Sequence, residues 1–236
     1  MLETFIPQAS TYASEVDGLI NMVGAFVGFW FVLSFGTFIW LIFRFRERNV
    51  ESAEYITGEL KHQKRWITIP HLLVLVCDVF IIVGAVQVWY NIKQYLPEAE
   101  QTVRVTGQQW TWTFQHPGPD GKIDTADDIA TVNELHVQKG VKYHYKLESV
   151  DVLHDFSVPV FRLKQDAIPG RIITGWFEPT LEGEYDVQCA EICGIGHGLM
   201  GARIFIESEE KHAAWVAGES PVQLAAVTNP QRAIQE

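Results

Sequence analysis

The sequence predicts a two-helix transmembrane hairpin followed by an all-β Greek-key barrel or sandwich. Three observations carry this reading. The 26 residues from Gly18 to Phe43 contain no charge, the 27 residues from Trp66 to Ile92 contain only Asp78, and the chain beyond residue 93 breaks into short β-rich runs separated by Gly, Pro and Asp. A helix as long as the first stretch covers about 39 Å, enough to cross a bilayer with room to tilt, and soluble core helices rarely reach that length. Trp89 and Tyr90 stand at the far end of the second stretch as interfacial anchors.

The first 43 residues hold no Lys or Arg, whereas the connecting segment holds Arg44, Arg46, Arg48, Lys61, Lys64 and Arg65, which places that short basic loop in the cytoplasm. Both termini are then expected on the opposite side, in the periplasm or the equivalent space of an organelle, with a bacterial inner membrane the expected location. No basic region or small-residue cleavage site precedes Gly18, so the first helix is expected to act as its own export signal. The expected organisation is a tail and hairpin over 1–92, with helices over about 18–43 and 66–92, an exported domain over 93–218 and a C-terminal tail over 219–236. Of the net charge of −11, the part from Lys93 onward carries −9, from 12 Lys and Arg against 21 Asp and Glu. Such a surface argues against nucleic acid and for a cationic partner. Asp78, near the middle of the second helix, costs about 2.5–3.5 kcal/mol in lipid and is expected to face protein.

The β-rich runs are 102–115, 130–138, 141–148, 152–158, 171–178, 185–189 and 201–207, and a short helix is expected from Glu209 to Ala217. The acidic stretch Asp120 to Asp128 lacks the alternating ligands and terminal Glu of an EF-hand loop and reads as an acidic hairpin turn.

The chemistry concentrates in Cys189-Ala-Glu-Ile-Cys193-Gly-Ile-Gly-His197-Gly-Leu-Met200. Thiolate and thioether donors beside imidazole select copper over hard cations, and the glycines allow donors three or four positions apart to converge. Upstream, His154 in Asp151-Val-Leu-His154 begins a strand and supplies a second imidazole. Taken alone, these residues admit a disulfide, a tetrahedral zinc site, a mononuclear copper site or a pair of bridged coppers; the last uses every donor.

Together with the hairpin, the segment Gly107-Gln-Gln-Trp110-Thr-Trp112 and the segment Lys164-Gln-Asp166-Ala-Ile-Pro169-Gly170-Arg171, this loop resembles subunit II of the haem-copper cytochrome c oxidases over nearly the whole chain. The resemblance implies a cupredoxin-like domain with a binuclear copper A centre. Cys189 and Cys193 would bridge both metals, with His154 and His197 as terminal ligands, Met200 as a weak axial ligand and the Glu191 backbone carbonyl completing the set. It further implies that electrons come in at Trp110 from cytochrome c and leave for a haem in subunit I, where oxygen is reduced and protons are translocated. The Glu191 side chain would reach a magnesium ion at the subunit I boundary, which Asp166 and Arg171 would help to hold.

Trp112 is expected in the core or an interface. Asp120, Asp124, Asp127, Asp128, Glu134 and Asp155 are candidates for steering a basic cytochrome. Gln108 and Thr111 stand where the family commonly has His and Tyr, and Asp155 where Ser is usual, a carboxylate expected to lower the centre's potential. Gln63 replaces a common Glu, so no proton-input role is carried to it. No Cys-x-x-Cys-His run occurs, so no fused c-type haem is expected. Two other readings share features of this pattern: the electron-input subunit of a copper A nitric oxide reductase, and a membrane-anchored copper chaperone or thiol reductase.

Overall fold

The computed structural model describes residues 2–46 and 56–218. They form two units, one from Glu15 to Asn91 and one that combines the residues up to Ser14 with those from Ile92 onward. Arg48, part of the expected basic loop, and the expected tail over 219–236 lie outside the described residues.

The helical unit contains α1, Ala13–Arg44, and α2, Lys61–Trp89, which continues into a π-helical turn at Tyr90–Gln94. Both helices are long and apolar enough to cross a membrane. They extend beyond the expected spans because charged and polar residues add turns at the ends, so Lys61, Lys64 and Arg65 ride on α2 instead of a loop. At one end Asn91 donates to Glu15 Oε2 at 3.1 Å. Gly84 lets the helices close, since a Cβ there would sit 3.0 Å from Met22 Cε. Asp78 is exposed on α2.

The second unit is a sandwich of two five-stranded sheets. In spatial order one sheet holds β3 (Ile129–Val132), β2 (Thr111–His116), β1 (Gln101–Gln108), β5 (Tyr143–Ser149) and β8 (Ile173–Phe177). The other holds β4 (Glu134–Gln138), β10 (Gly201–Glu207), β9 (Gly183–Cys189), β6 (His154–Val158) and β7 (Leu163–Ala167). Alternation sets the inner faces: Tyr143, Tyr145 and Leu147 of β5 point into a core with Val103, Val105, Trp112, Phe114, Phe156, Phe177 and Ile204. Every residue of β6 is buried, because the strand lies between β7 and β9.

Three expected features are corrected. The run 102–115 is a hairpin, broken between Gln108 and Thr111. The run 130–138 is two strands in different sheets, with Asn133 at the corner in the left-handed region (φ 60°). Asn133 Oδ1 accepts from the Thr111 hydroxyl and the Trp112 N–H, both at 2.9 Å, which satisfies the hairpin where the chain changes sheet. The first residues are not a tail to the hairpin: Ala9 N–H donates to Val160 O, Thr180 N–H to Ala9 O, and Tyr12 packs edge-on against Trp176. Arg162 closes this strap by donating to the carbonyls of Ile6 and Pro7.

The acidic turn is held by its own donors. Asp128 is buried and its carboxylate accepts from the Asp124 and Thr125 amides and from Gln115.

The terminal helix α3, Glu209–Gly218, docks through an aromatic and imidazole cluster. His136 lies between Phe205 and Trp215, with ring centroids 4.6 and 4.2 Å away, and Glu207 receives His136 Nδ1 and His212 Nδ1, each at 3.1 Å. Beneath Trp215, His116 Nε2 accepts from the His136 amide while Nδ1 faces the Ile129 carbonyl. Burial, reinforced by His136, pushes His116 down to about 3, and burial also lowers His212. On acidification the unfolded chain therefore takes up these protons first, so stability present at neutral pH is lost as pH falls from about 6.5 towards 3, at roughly 1.4 kcal/mol per pH unit per proton. We expect the unfolding midpoint of the detergent-solubilised chain to fall from pH 7.5 to pH 5, and to fall less steeply in His116→Gln, which keeps an acceptor for His136. Equal slopes would contradict the assignment.

Candidate metal centre

Antiparallel pairing of β9 with β10 fixes both ends of the loop that carries the donors: Gln188 is opposite Gly201, and Cys189 N–H donates to Met200 O at 3.1 Å. Between these points the chain turns through Gly194, whose φ of 122° a side chain would resist, and through a 3-10 turn at His197–Leu199. β6 passes beside β9 in the same sheet, with Phe156 opposite Cys189, and brings His154 to the site.

The expected donors converge. Cys189 Sγ lies 3.7 Å from Cys193 Sγ, 3.8 Å from His154 Nδ1 and 3.3 Å from the Glu191 carbonyl oxygen. Cys193 Sγ lies 3.6 Å from His197 Nδ1 and 3.7 Å from Met200 Sδ. Both cysteines are free, and their sulfurs are far outside the roughly 2.05 Å of a disulfide. His154, Cys189, Cys193 and Met200 are buried and His197 is half-buried. His154, Cys189 and Cys193 offer ligand atoms within 4.8 Å of one another. Burial and the neighbouring Cys189 thiol push the Cys193 thiol up to about 11, so two thiolates side by side call for a cation. Soft donors in this number suit copper, and the Glu191 side chain points away into solvent-exposed surface.

Several supporting residues were not singled out from sequence. Asp151 Oδ1 stands 2.8 Å from His154 Nε2, which leaves Nδ1 to face the sulfurs. Its carboxylate also accepts from the amides of Gln109 (2.7 Å) and Val152 (2.6 Å). Burial opposes ionisation of Asp151, but these hydrogen bonds outweigh it and hold the group below the usual carboxylate range. The aspartate three residues before a ligand histidine was the available signal. Gly107 gives His154 its room, since a Cβ there would meet His154 and Trp112 at 3.1 Å.

Trp110 is 39% exposed, and its indole lies against the donor loop: a Cβ on Gly196 would fall 2.4 Å from Trp110 Cδ2. Trp112 is fully buried against His154, with ring centroids 6.0 Å apart. The expected acidic steering set needs correction. Asp128 and Asp155 are buried, and Asp124 is taken by Arg104 at 2.9 Å and by Lys146 at 3.8 Å. What remains at the surface is Asp120 and Glu134, with Asp127 half-exposed, while the donor loop itself presents Ile192, Ile195 and Leu199. Asp155 faces Asp166 across β6 and β7, and burial, partly offset by Lys164 and reinforced by the Asp166 carboxyl, pushes it up to about 6.

A β-sandwich that gathers two thiols, two imidazoles and a thioether at one end, in a chain with two membrane-length helices, has the donor set and the helices of a membrane-anchored soft-metal protein. The family description "Cytochrome C oxidase subunit II, periplasmic domain" matches residues 101–208. The alternative cytochrome c oxidase subunit 2 of Bradyrhizobium diazoefficiens is 31% identical over 223 residues, covering 85% of this chain and 79% of that one. Cytochrome c oxidase subunit 2 of Cereibacter sphaeroides is 28% identical, over 90% of this chain and 78% of its own. The crystal structure of the periplasmic domain of subunit II of Bradyrhizobium japonicum cytochrome oxidase is 31% identical, covers 52% of this chain and 95% of its own, and superposes with a TM-score of 0.46. The chain belongs to the cytochrome c oxidase subunit 2 family.

Asp151→Ala is expected to weaken copper binding by about 10–100-fold, measured by competition with a chelator, because His154 loses the partner that fixes its tautomer. Unchanged affinity would remove Asp151 from the site.

Proposed function

We propose that this chain is the electron-input subunit of a terminal haem-copper oxidase, taking single electrons from cytochrome c at a binuclear copper A centre and passing them to a haem in subunit I, where oxygen is reduced to water and protons are translocated. The observation that carries the proposal is the pair of buried, unbonded sulfurs 3.7 Å apart, ringed by two imidazole nitrogens, a thioether and a carbonyl oxygen. His154, Cys189, Cys193, His197, Met200 and the Glu191 carbonyl hold the two coppers in this reading. A metal pair held by these residues would supply one-electron redox chemistry, and donors already converged would let its oxidation state change with little movement of the ligands.

The protein's own contribution is rigidity and access. The β9–β10 ladder and Asp151 fix the donors before metal arrives, which limits reorganisation when charge changes. Trp110 supplies an exposed aromatic edge in contact with the donor loop, and the donor cytochrome is oxidised there by one electron without any bond made or broken. The exposed Glu191 carboxylate is suited to a magnesium ion at the subunit I boundary. The surplus of exported acidic charge draws a basic cytochrome over long range, while Trp110, Ile192 and Ile195 make a contact surface that salt does not screen.

The copper-loaded intact chain is expected to give a seven-line electron spin resonance hyperfine pattern from one electron on two equivalent nuclei, and Trp110→Phe to slow electron input while leaving that pattern intact. A four-line spectrum would contradict the binuclear centre.

A further inference from the structure

Trp110 is held in a way that its exposure leaves unexplained. A ring 39% exposed is not fixed by burial, yet it lies flat enough on the donor loop that Gly196 has no room for a methyl group. The residue before it accounts for the fit. Gln109 Nε2 donates to the Cys193 carbonyl at 2.8 Å, across 84 positions of sequence, and Gln109 N–H donates to Asp151 Oδ2 at 2.7 Å. One residue thus ties the β1–β2 turn both to the loop that carries Cys193 and His197 and to the aspartate that orients His154. The space is closed around it: a Cβ on Gly194 would come within 2.9 Å of Gln109 Nε2 and 3.3 Å of the indole. The neighbouring Thr111 hydroxyl is engaged elsewhere, on Asn133.

We propose that Gln109 is a positioning residue that seats the Trp110 indole on the donor loop and thereby sets the rate at which an electron arriving at Trp110 reaches the metal centre. This rests on the electron-input reading above. The transfer moves one electron and no proton, and its rate falls steeply as a gap opens between rings and ligand backbone. A hydrogen bond that keeps this gap closed therefore acts on the rate more than on stability.

The variant Gln109→Met keeps length and volume and removes the donor. In the assembled oxidase it is expected to slow electron input from reduced cytochrome c by about tenfold or more at high salt, where steering is screened, with copper content and hyperfine pattern as in the parent. Gly196→Ala displaces the indole directly. If Gln109 acts by seating the ring, Gln109→Met adds little further slowing in the Gly196→Ala background, whereas a fully multiplicative effect would overturn the proposal. In the copper-free full-length chain, amide exchange over residues 193–200 is expected to be faster in Gln109→Met, and an unchanged exchange pattern would count against the tie. An unaltered input rate, or loss of copper from Gln109→Met, would also overturn it. Failure of the parent chain to bind two coppers would instead remove the electron-input reading itself.

Discussion

The pairing of β9 with β10 is the constraint on which the site depends. Hydrogen bonding between Cys189 and Met200 brings the two ends of a glycine-rich loop together, so that thiols, imidazole and thioether have nowhere to point but inward. Ionising two buried thiols in contact is unfavourable when nothing balances them, as the raised Cys193 shows. The fold imposes the contact nevertheless, and a soft cation is what makes it favourable. The remaining features serve this one: β6 delivers His154, Asp151 orients it, and Gly107 and Gly196 clear space for the rings on either side.

Rigidity at that end is matched by fastening elsewhere. The strap through Ala9 and Tyr12 fastens the N-terminal residues to the edge of the sandwich. On the sheet that also carries the donor loop, α3 is clamped by His136, His212 and Glu207 around Trp215. Burial of His116 and His212 beneath this helix places acid sensitivity in the scaffold.

Local signals in the sequence were reliable where the physics is local. The lengths of the two apolar stretches, the β-rich run 141–148 and the cluster from Cys189 to Met200 all anticipate what the structure contains. What escaped depends on partners remote in the chain. Asn133 looks like any strand residue until Thr111 and Trp112 are seen to need its side-chain oxygen. β7 reads Leu-Lys-Gln-Asp-Ala, an edge strand whose polar face hides its pairing with β6. Gln109 and Asp151 lie inside segments that the sequence brought forward, but their roles emerge only when turns 42 residues apart meet beside the loop. Asp128 and Asp155 illustrate the converse: a carboxylate counted as surface charge from composition turns out to be structural.

The central claim is that two sulfurs in this fold hold two metal ions as one redox unit. X-ray absorption at the copper edge of the intact, copper-loaded chain, combined with metal analysis, tests it most directly. The account predicts two coppers per chain, each with sulfur neighbours and a second copper in its nearest shells. A single copper with no metal neighbour, zinc in its place, or Cys189 and Cys193 recovered as a disulfide would contradict it.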